Sequence, residues 1–296
     1  MGKLIKKVIR DRLQFQVTSN NFIHQSQLDG LKFKSTTDAS ITLTYFIHIG
    51  WIRNILTSSL ALNIAQFFPS LNYCFLALIL GKAGFDLQVV KFFSSYLVNK
   101  KTKYFWNNFS SHLFDVNVEV GQGLALFPIL SVIYFFLFLY ILEKCLKNLD
   151  LKISILSFVD DGLLIIQSNS FQVSNARLFS SYNVISKLFS KFSLFVKHLK
   201  TEVFYFSRSW GAFNPPPLNL SLIGSPHLIP KDTWKYLGFI FDRKLSFHQH
   251  IDFYVNKAIL TVKCIKILGN SIRGLNPLQK HLLYRSCALL IALYSF

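Results

Sequence analysis

Two adjacent carboxylates, Asp160 and Asp161, lie between two apolar, β-branched runs, Ile153–Phe158 and Gly162–Ile166. Strand, short polar break and strand predict a tight hairpin with acids at its tip. Like charges side by side are costly unless a cation neutralises them. In nucleotidyl transfer divalent magnesium does so: hard oxygen ligands hold it beside substrate phosphates, and a pair of ions clamps the attacking and leaving oxygens. Taken alone, the tetrapeptide Phe158, Val159, Asp160, Asp161 also fits an ordinary Asp-Asp-Gly surface turn, so its company decides.

The elements that must position such a hairpin can be read from periodicity. Leu60–Ile64 reads as a short buried strand, a helix follows Pro69 to about Leu80, and Asp86–Leu97 reads as another. Phe171–Val196 has the pattern of one long amphipathic helix with Lys on one face, and Val203–Phe206 that of a strand. Asn214, Pro215, Pro216 and Pro217 form a loop. Tyr236–Phe241 reads as a strand, and from Phe247 onward the pattern is helical, divided by Gly274 and Pro277. Val8, Leu13 and Phe15, set among Lys and Arg, give an amphipathic N-terminal helix, with no long apolar region of a secretory signal. A mitochondrial presequence has a similar look, but Asp11 and the scarcity of Ser count against it. Strands mixed with helices in this order predict an α+β architecture, a palm followed by a helical lobe.

Charge narrows the partners. Thirty-two Lys and Arg against fourteen Asp and Glu give a net charge of +18 over 296 residues. The basic clusters, at Lys3–Arg12, Lys100–Lys103, Lys187–Lys200 and Lys257–Lys266, are spread along the chain, as suits a folded domain with a basic groove. Such a surface favours polyanions, nucleic acid first and an acidic membrane second. Leu124–Leu142 carries no charge and approaches the roughly 20 apolar residues that span a bilayer. A buried core helix is the expectation there and a membrane anchor the alternative. Cys74, Cys145, Cys264 and Cys287 form no CxxC pair and are expected as buried free thiols in a reducing, intracellular compartment. His248, His250 and Asp252 could suggest a metal site, but nucleic-acid or solvent contacts on a helix are expected instead. Lys103, Tyr104 and Trp106 fit either a stacking surface for a single strand or a partly buried aromatic cluster, the latter being the expectation.

Placed in order, the motifs resemble those of the reverse-transcriptase domain of LINE-like (non-LTR) retroelements. FVDD resembles the family's aromatic-x-Asp-Asp motif. GQGLALFPILS, from Gly121 to Ser131, resembles its Gln-Gly motif, and LNIAQFFPSLN, from Leu62 to Asn72, the motif that carries the first catalytic Asp. Lys200, Thr201 and Glu202 resemble the Lys-Thr motif, and Trp234, Tyr236, Leu237 and Gly238 in WKYLGF the primer grip. The segment around His24, Gln27 and Gly30 resembles a fingers motif. The resemblance implies a right-hand polymerase, with partial fingers over residues 1–59, a palm over 60–233 and a truncated helical thumb over 234–296. The same resemblance implies Mg²⁺ at Asp160 and Asp161, nucleotide contacts at Phe68, Gln122, Gly123 and Lys200, and an RNA template, a DNA primer and dNTPs as partners.

The chain departs from the family where the chemistry is most demanding. Asn63 stands at the first catalytic Asp, and no Asp or Glu occurs between Asp38 and Asp86 to replace it. An amide brings no charge to a site that works by electrostatics, so impaired polymerase activity is expected. Leu124 and Phe127 put bulk where the family has small or polar residues. MGKLIKKVIRDRLQF resembles the tail of the first fingers motif, and the chain stops inside the thumb, so a truncated, degenerate copy is expected.

Overall fold

The computed structural model describes residues 2–29, 34–65, 67–71, 73–97, 100–107, 109–116, 126–148, 153–208, 214–220, 227–268 and 274–294. The chain divides into two compact units, Met1–Tyr205 with Ala212–Pro230, and Phe206–Gly211 with Lys231–Phe296.

In the first unit the elements run α1 (Gly2–Ser19), α2 (Thr36–Ile52), β1 (Leu56–Ala65), a short α3 (Phe67–Ser70), α4 (Tyr73–Lys82) and α5 (Leu87–Leu97). A hairpin arm of β2 (Lys100–Thr102), β3 (Phe105–Trp106), β4 (Phe109–Ser110) and β5 (Phe114–Val116) follows. Then come α6 (Phe127–Lys147), β6 (Ile153–Phe158), β7 (Asp161–Ser168), α7 (Phe171–Lys191), β8 (Phe195–Val196) and β9 (Glu202–Phe206). Five strands make the main sheet in the order β6-β7-β1-β8, with β9 also paired to β1. The β1–β7 and β6–β7 ladders are antiparallel.

The helices cover the sheet for reasons visible in their spacing. In α7 the buried positions are Ser174, Leu178, Ser181, Tyr182, Ile185, Leu188 and Phe189, a helical stripe. Small polar residues let it approach closely: the Ser174 and Ser58 hydroxyls hydrogen-bond across the α7–β1 contact. The Tyr134 hydroxyl of α6 donates to the Phe192 carbonyl at 2.6 Å, so the polar end of a fully buried ring is satisfied. At Gly50 a Cβ would overlap the Thr57 hydroxyl, so only glycine lets α2 sit this close to β1.

Helix α6 has the length and hydropathy of a membrane span, and a core helix passes the same test. Here Leu130, Ile133, Tyr134, Phe135, Phe138, Leu139 and Leu142 all belong to the central apolar cluster. Phe138 stacks on Phe189 at 4.9 Å and meets Phe192 edge-on at 5.3 Å. The expected core helix is what these contacts describe.

Several boundaries differ from the sequence expectation. The long helix expected to reach Val196 ends at Lys191. Ser193 takes a left-handed backbone (φ 55), and Phe195 and Val196 instead pair with Ala65 and Ile64 as a strand. The apolar periodicity continued across the break because Phe192 and Leu194, beyond the helix end, are buried in the same core as Leu188 and Phe189, while Phe195 is exposed. The helix expected after Pro69 is two pieces, α3 and α4. Cys145 is half-buried and Cys264 and Cys287 are exposed, not the buried thiols expected, while the Cys74 side chain lies outside the described residues. Tyr104 and Trp106 are 66% and 77% exposed, so the expected partly buried aromatic cluster is not formed.

In the second unit β10 (Thr233–Tyr236) and β11 (Phe239–Asp242) form a hairpin, followed by α8 (His248–Ile267), α9 (Pro277–Leu283) and a short α10 (Leu290–Ala292). The single strand expected over Tyr236–Phe241 is therefore two strands. Leu237 (φ 48) and Gly238 (φ 91) make the turn, with both backbones in the left-handed region that tight hairpin turns use. The turn carbonyls are held from the helices: Tyr254 Oη donates to Gly238 O at 2.8 Å and Tyr294 Oη to Leu237 O at 3.1 Å.

Truncating Phe138 to Ala removes a ring from the centre of the first unit. The expected cost is about 3–5 kcal/mol of unfolding free energy, read by urea denaturation. A loss below about 1 kcal/mol would show that the α6 face is not core.

Candidate active site

The paired acids sit where the sequence places them, at the tip of β6–β7. Phe158 pairs with Asp161 and closes a loop of Val159 and Asp160. Val159 has φ 52. A β-branched residue in the left-handed region is strained by about 1–3 kcal/mol, and such strain persists only where surroundings impose it. They do so here: Ile64 N–H on the neighbouring strand donates to Asp160 O at 2.8 Å.

The β1–β7 register brings Asn63 directly opposite Asp161. Its amide Nδ2 donates to Asp161 Oδ1 at 2.8 Å and to Asp160 Oδ2 at 3.3 Å. This orientation follows from chemistry, since carboxylates only accept and an amide oxygen turned toward them would repel. The Asn63 carbonyl accepts from Lys197 N–H at 2.7 Å, which fixes the backbone from the other side.

Burial raises the Asp161 carboxyl above the usual carboxylate range; the Asn63 hydrogen bond opposes it, the Asp160 charge adds to it, and the Lys200 charge opposes it. Lys200 ends the turn His198–Lys200, is exposed, and reaches the acids as a field and not as a contact.

A third carboxylate stands behind the hairpin, and motif reading missed it. Leu28 N–H donates to Ser157 O at 2.9 Å and Ser157 N–H to Ser26 O at 2.8 Å, so the segment around Gln27 lies along β6 as a short edge. His24 anchors it, with Nε2 2.9 Å from Glu143 Oε2. This carries Asp29, 3% exposed, to the Val159 backbone. Burial pushes its carboxyl up to about 6, against hydrogen bonds from the Val159 and Asp29 backbone and the Gln27 side chain; the charge of Asp160 adds a smaller upward push. Nothing in local spacing flags Asp29, because the contact spans some 130 residues of chain.

The remaining predicted residues divide as follows. Gln122, Gly123 and Leu124 lie outside the described residues, as do the side chains of Phe68 and Phe127; Phe68 itself is on α3. Trp234 and Tyr236 alternate on β10, stack at 5.0 Å and are buried in the second unit. Their rings are core, and the hairpin presents Lys235 outward, its Nζ 5.2 Å over the Phe253 ring. His250, expected to meet nucleic acid or solvent, is instead buried: its Nδ1 accepts from Ile240 N–H at 3.2 Å and its ring stacks on Phe239 at 5.6 Å. His248 and Asp252 are exposed.

Whether these residues suit a pair of magnesium ions can be judged from donor chemistry. A bridging site needs oxygen ligands converging from two strands. Here β1 presents the Asn63 amide, which donates to one oxygen of each acid where the facing strand would have to supply an acceptor. No group of three or more His, Cys, Asp or Glu that could hold a metal occurs among the described residues. The site as it stands does not fit a two-metal centre.

No family model matches the chain, and no curated protein matches it. Solved structures do. Telomerase from Candida tropicalis, in complex with a TWJ fragment of telomeric RNA, aligns with TM-score 0.56 at 13% identity, covering 97% of this chain and 45% of that one. Apo telomerase from the same organism aligns with TM-score 0.54 at 15% identity, covering 82% and 39%. The chain thus spans less than half the length of these neighbours. The likeness is one of fold: a mixed arrangement of helices and sheet like that of these telomerases.

Because Asp29 ionises only at a cost when folded, the sign of its pH effect is set. No penalty exists below the ordinary carboxylate value of 3.8; it accrues as pH rises and is complete above about 6. Asp29→Asn keeps an acceptor for the same donors. It is expected to stabilise the fold at pH 7.5 by about 3 kcal/mol and to leave it unchanged near pH 3.5, measured by urea unfolding. Equal stability of the two chains at both pH values would refute the assignment.

Proposed function

We propose that the chain carries fingers, palm and thumb segments of a LINE-like reverse transcriptase in which nucleotidyl transfer is impaired at Asn63. The fingers, palm and thumb are assigned to residues 1–59, 60–233 and 234–296. Its partners in this reading are an RNA template, a DNA primer and dNTPs, with Mg²⁺ at Asp160 and Asp161 only once the amide is displaced. The observation that carries the reading is the hydrogen-bonded triad of Asn63, Asp160 and Asp161. It keeps the arrangement of a polymerase centre while putting a donor where a metal bridge needs an acceptor. The telomerase-like fold supports the polymerase class, and the motif resemblance supports the retroelement lineage. The net charge of +18 supports retention of nucleic-acid binding without turnover as the second reading.

Primer extension on poly(rA)–oligo(dT) with Mg²⁺ tests both. The native chain is expected to extend poorly. Asn63→Asp should raise the rate by about a hundredfold or more, on the scale of a large electrostatic contribution, and Asn63→Asp with Asp160→Asn should abolish the gain. Efficient extension by the native chain would overturn the claim of impairment. Silence from every variant, with template–primer still bound, would favour the binding-only reading.

A further inference from the structure

The arm between Lys100 and Val116 is built of two paired ribbons, β2 with β5 and β3 with β4. Thr102 faces Phe114 and Phe105 faces Ser110, so the returning strand carries one more residue than the outgoing one, a bulge. At the tip Trp106 pairs with Phe109, and Asn107 turns with φ 51. Side chains alternate along strands, so Tyr104, Trp106 and Phe109 share one face. Phe114 joins them, its ring 5.9 Å from that of Tyr104 in an edge contact.

These rings are open to solvent: Tyr104 is 66%, Trp106 77%, Phe109 67% and Phe114 48% exposed. A contiguous exposed aromatic face on a folded chain marks a binding surface more often than a packing residue. The surrounding chemistry selects the partner. Lys101 and Lys103, both exposed, stand beside the rings along the chain, and the whole chain carries +18. On the opposite face Lys103 Nζ lies 5.4 Å over Phe105, which is 74% exposed. Leu113 is the one exposed large aliphatic side chain among the described residues of the arm, poor provision for a lipid or an apolar protein groove.

We propose that this arm is a stacking platform for single-stranded polynucleotide, its rings set against bases and its lysines against phosphates. Residues two apart on a strand are separated by about 6.6 Å, roughly twice the ~3.4 Å spacing of stacked bases along one strand. Tyr104 and Trp106 therefore leave room for one base between them. Flat rings stack on any base, so binding is sequence-tolerant. The inference rests on the reading of the chain as nucleic-acid-handling for its ligand class alone; the face itself is independent of Asn63.

The test is fluorescence anisotropy of a labelled twenty-nucleotide oligo(dT), titrated with the full chain at several salt concentrations. Trp106→Ala with Phe109→Ala is expected to weaken binding about tenfold or more, the scale of losing one or two stacked bases, with the salt slope unchanged. Trp106→Phe should retain most of the affinity, since it keeps a ring. Lys101→Ala with Lys103→Ala should flatten the salt slope. The changed residues are exposed, and unaltered thermal unfolding confirms that the variants fold. No binding by the native chain would overturn both this inference and the nucleic-acid reading. Binding by the native chain that the aromatic variant leaves intact would overturn the arm alone, as would a variant that alters only the sedimentation of the chain.

Discussion

Two carboxylates on a half-buried strained turn repel each other, and the fold around them must supply something that opposes this. In this chain it is a single amide. Asn63 Nδ2 spans Asp160 and Asp161 from the facing strand, at 3.3 and 2.8 Å. Burial above all holds the Asp161 carboxyl above its usual range; the amide hydrogen bond opposes it, and the Asp160 charge adds to it. The triad is a compromise: enough donor strength to keep the hairpin closed, too little positive charge to need no further help, and a geometry that puts a donor where the facing strand would have to supply an acceptor.

The main sheet and the helices packed on it hold that register. The β1–β7 ladder sets Asn63 opposite Asp161 over an uninterrupted run from Leu56 to Asn63. One residue of slip would turn Asn63 to the other face of the sheet. The ladder is locked by α7 through Ser58 and Ser174 and by the aromatic packing of α6 against Phe189 and Phe192. The segment around Gln27 closes the open edge of β6. In doing so it carries Asp29 behind the turn, where a third carboxylate with a pKa near 6 adds to the electrostatic load. The second unit is organised on its own around Trp234, Tyr236, Phe239 and Phe241, with two tyrosine hydroxyls holding the hairpin turn.

The hairpin, its flanking strands and the core character of α6 were legible because they depend on local pattern: β-branched runs, an acidic break and an uncharged helix. The opposition of Asn63 to the acids was legible through motif resemblance, since no local rule pairs residues some hundred positions apart. Four features were not. Helix α7 looked longer because Phe192 and Leu194, past its end, are buried in the same core as its own stripe, so periodicity ran through the break at Ser193. The β10–β11 turn was hidden because Leu237 adopts a left-handed backbone that leucine seldom takes, while Gly238 alone did not mark it. Asp29 and the exposure of Trp106 depend on tertiary placement. A buried acid and a solvent-facing indole each run against the usual partition.

The central claim is that Asn63 occupies, as a donor, the place of a metal-bridging acceptor. Mn²⁺ titration followed by electron paramagnetic resonance measures this without turnover, comparing the native chain with Asn63→Asp. The account predicts weak binding to the native chain and tight binding to the variant, an affinity gain of at least about tenfold. Equally tight binding by both would contradict it, because the amide would then be no obstacle to the metal.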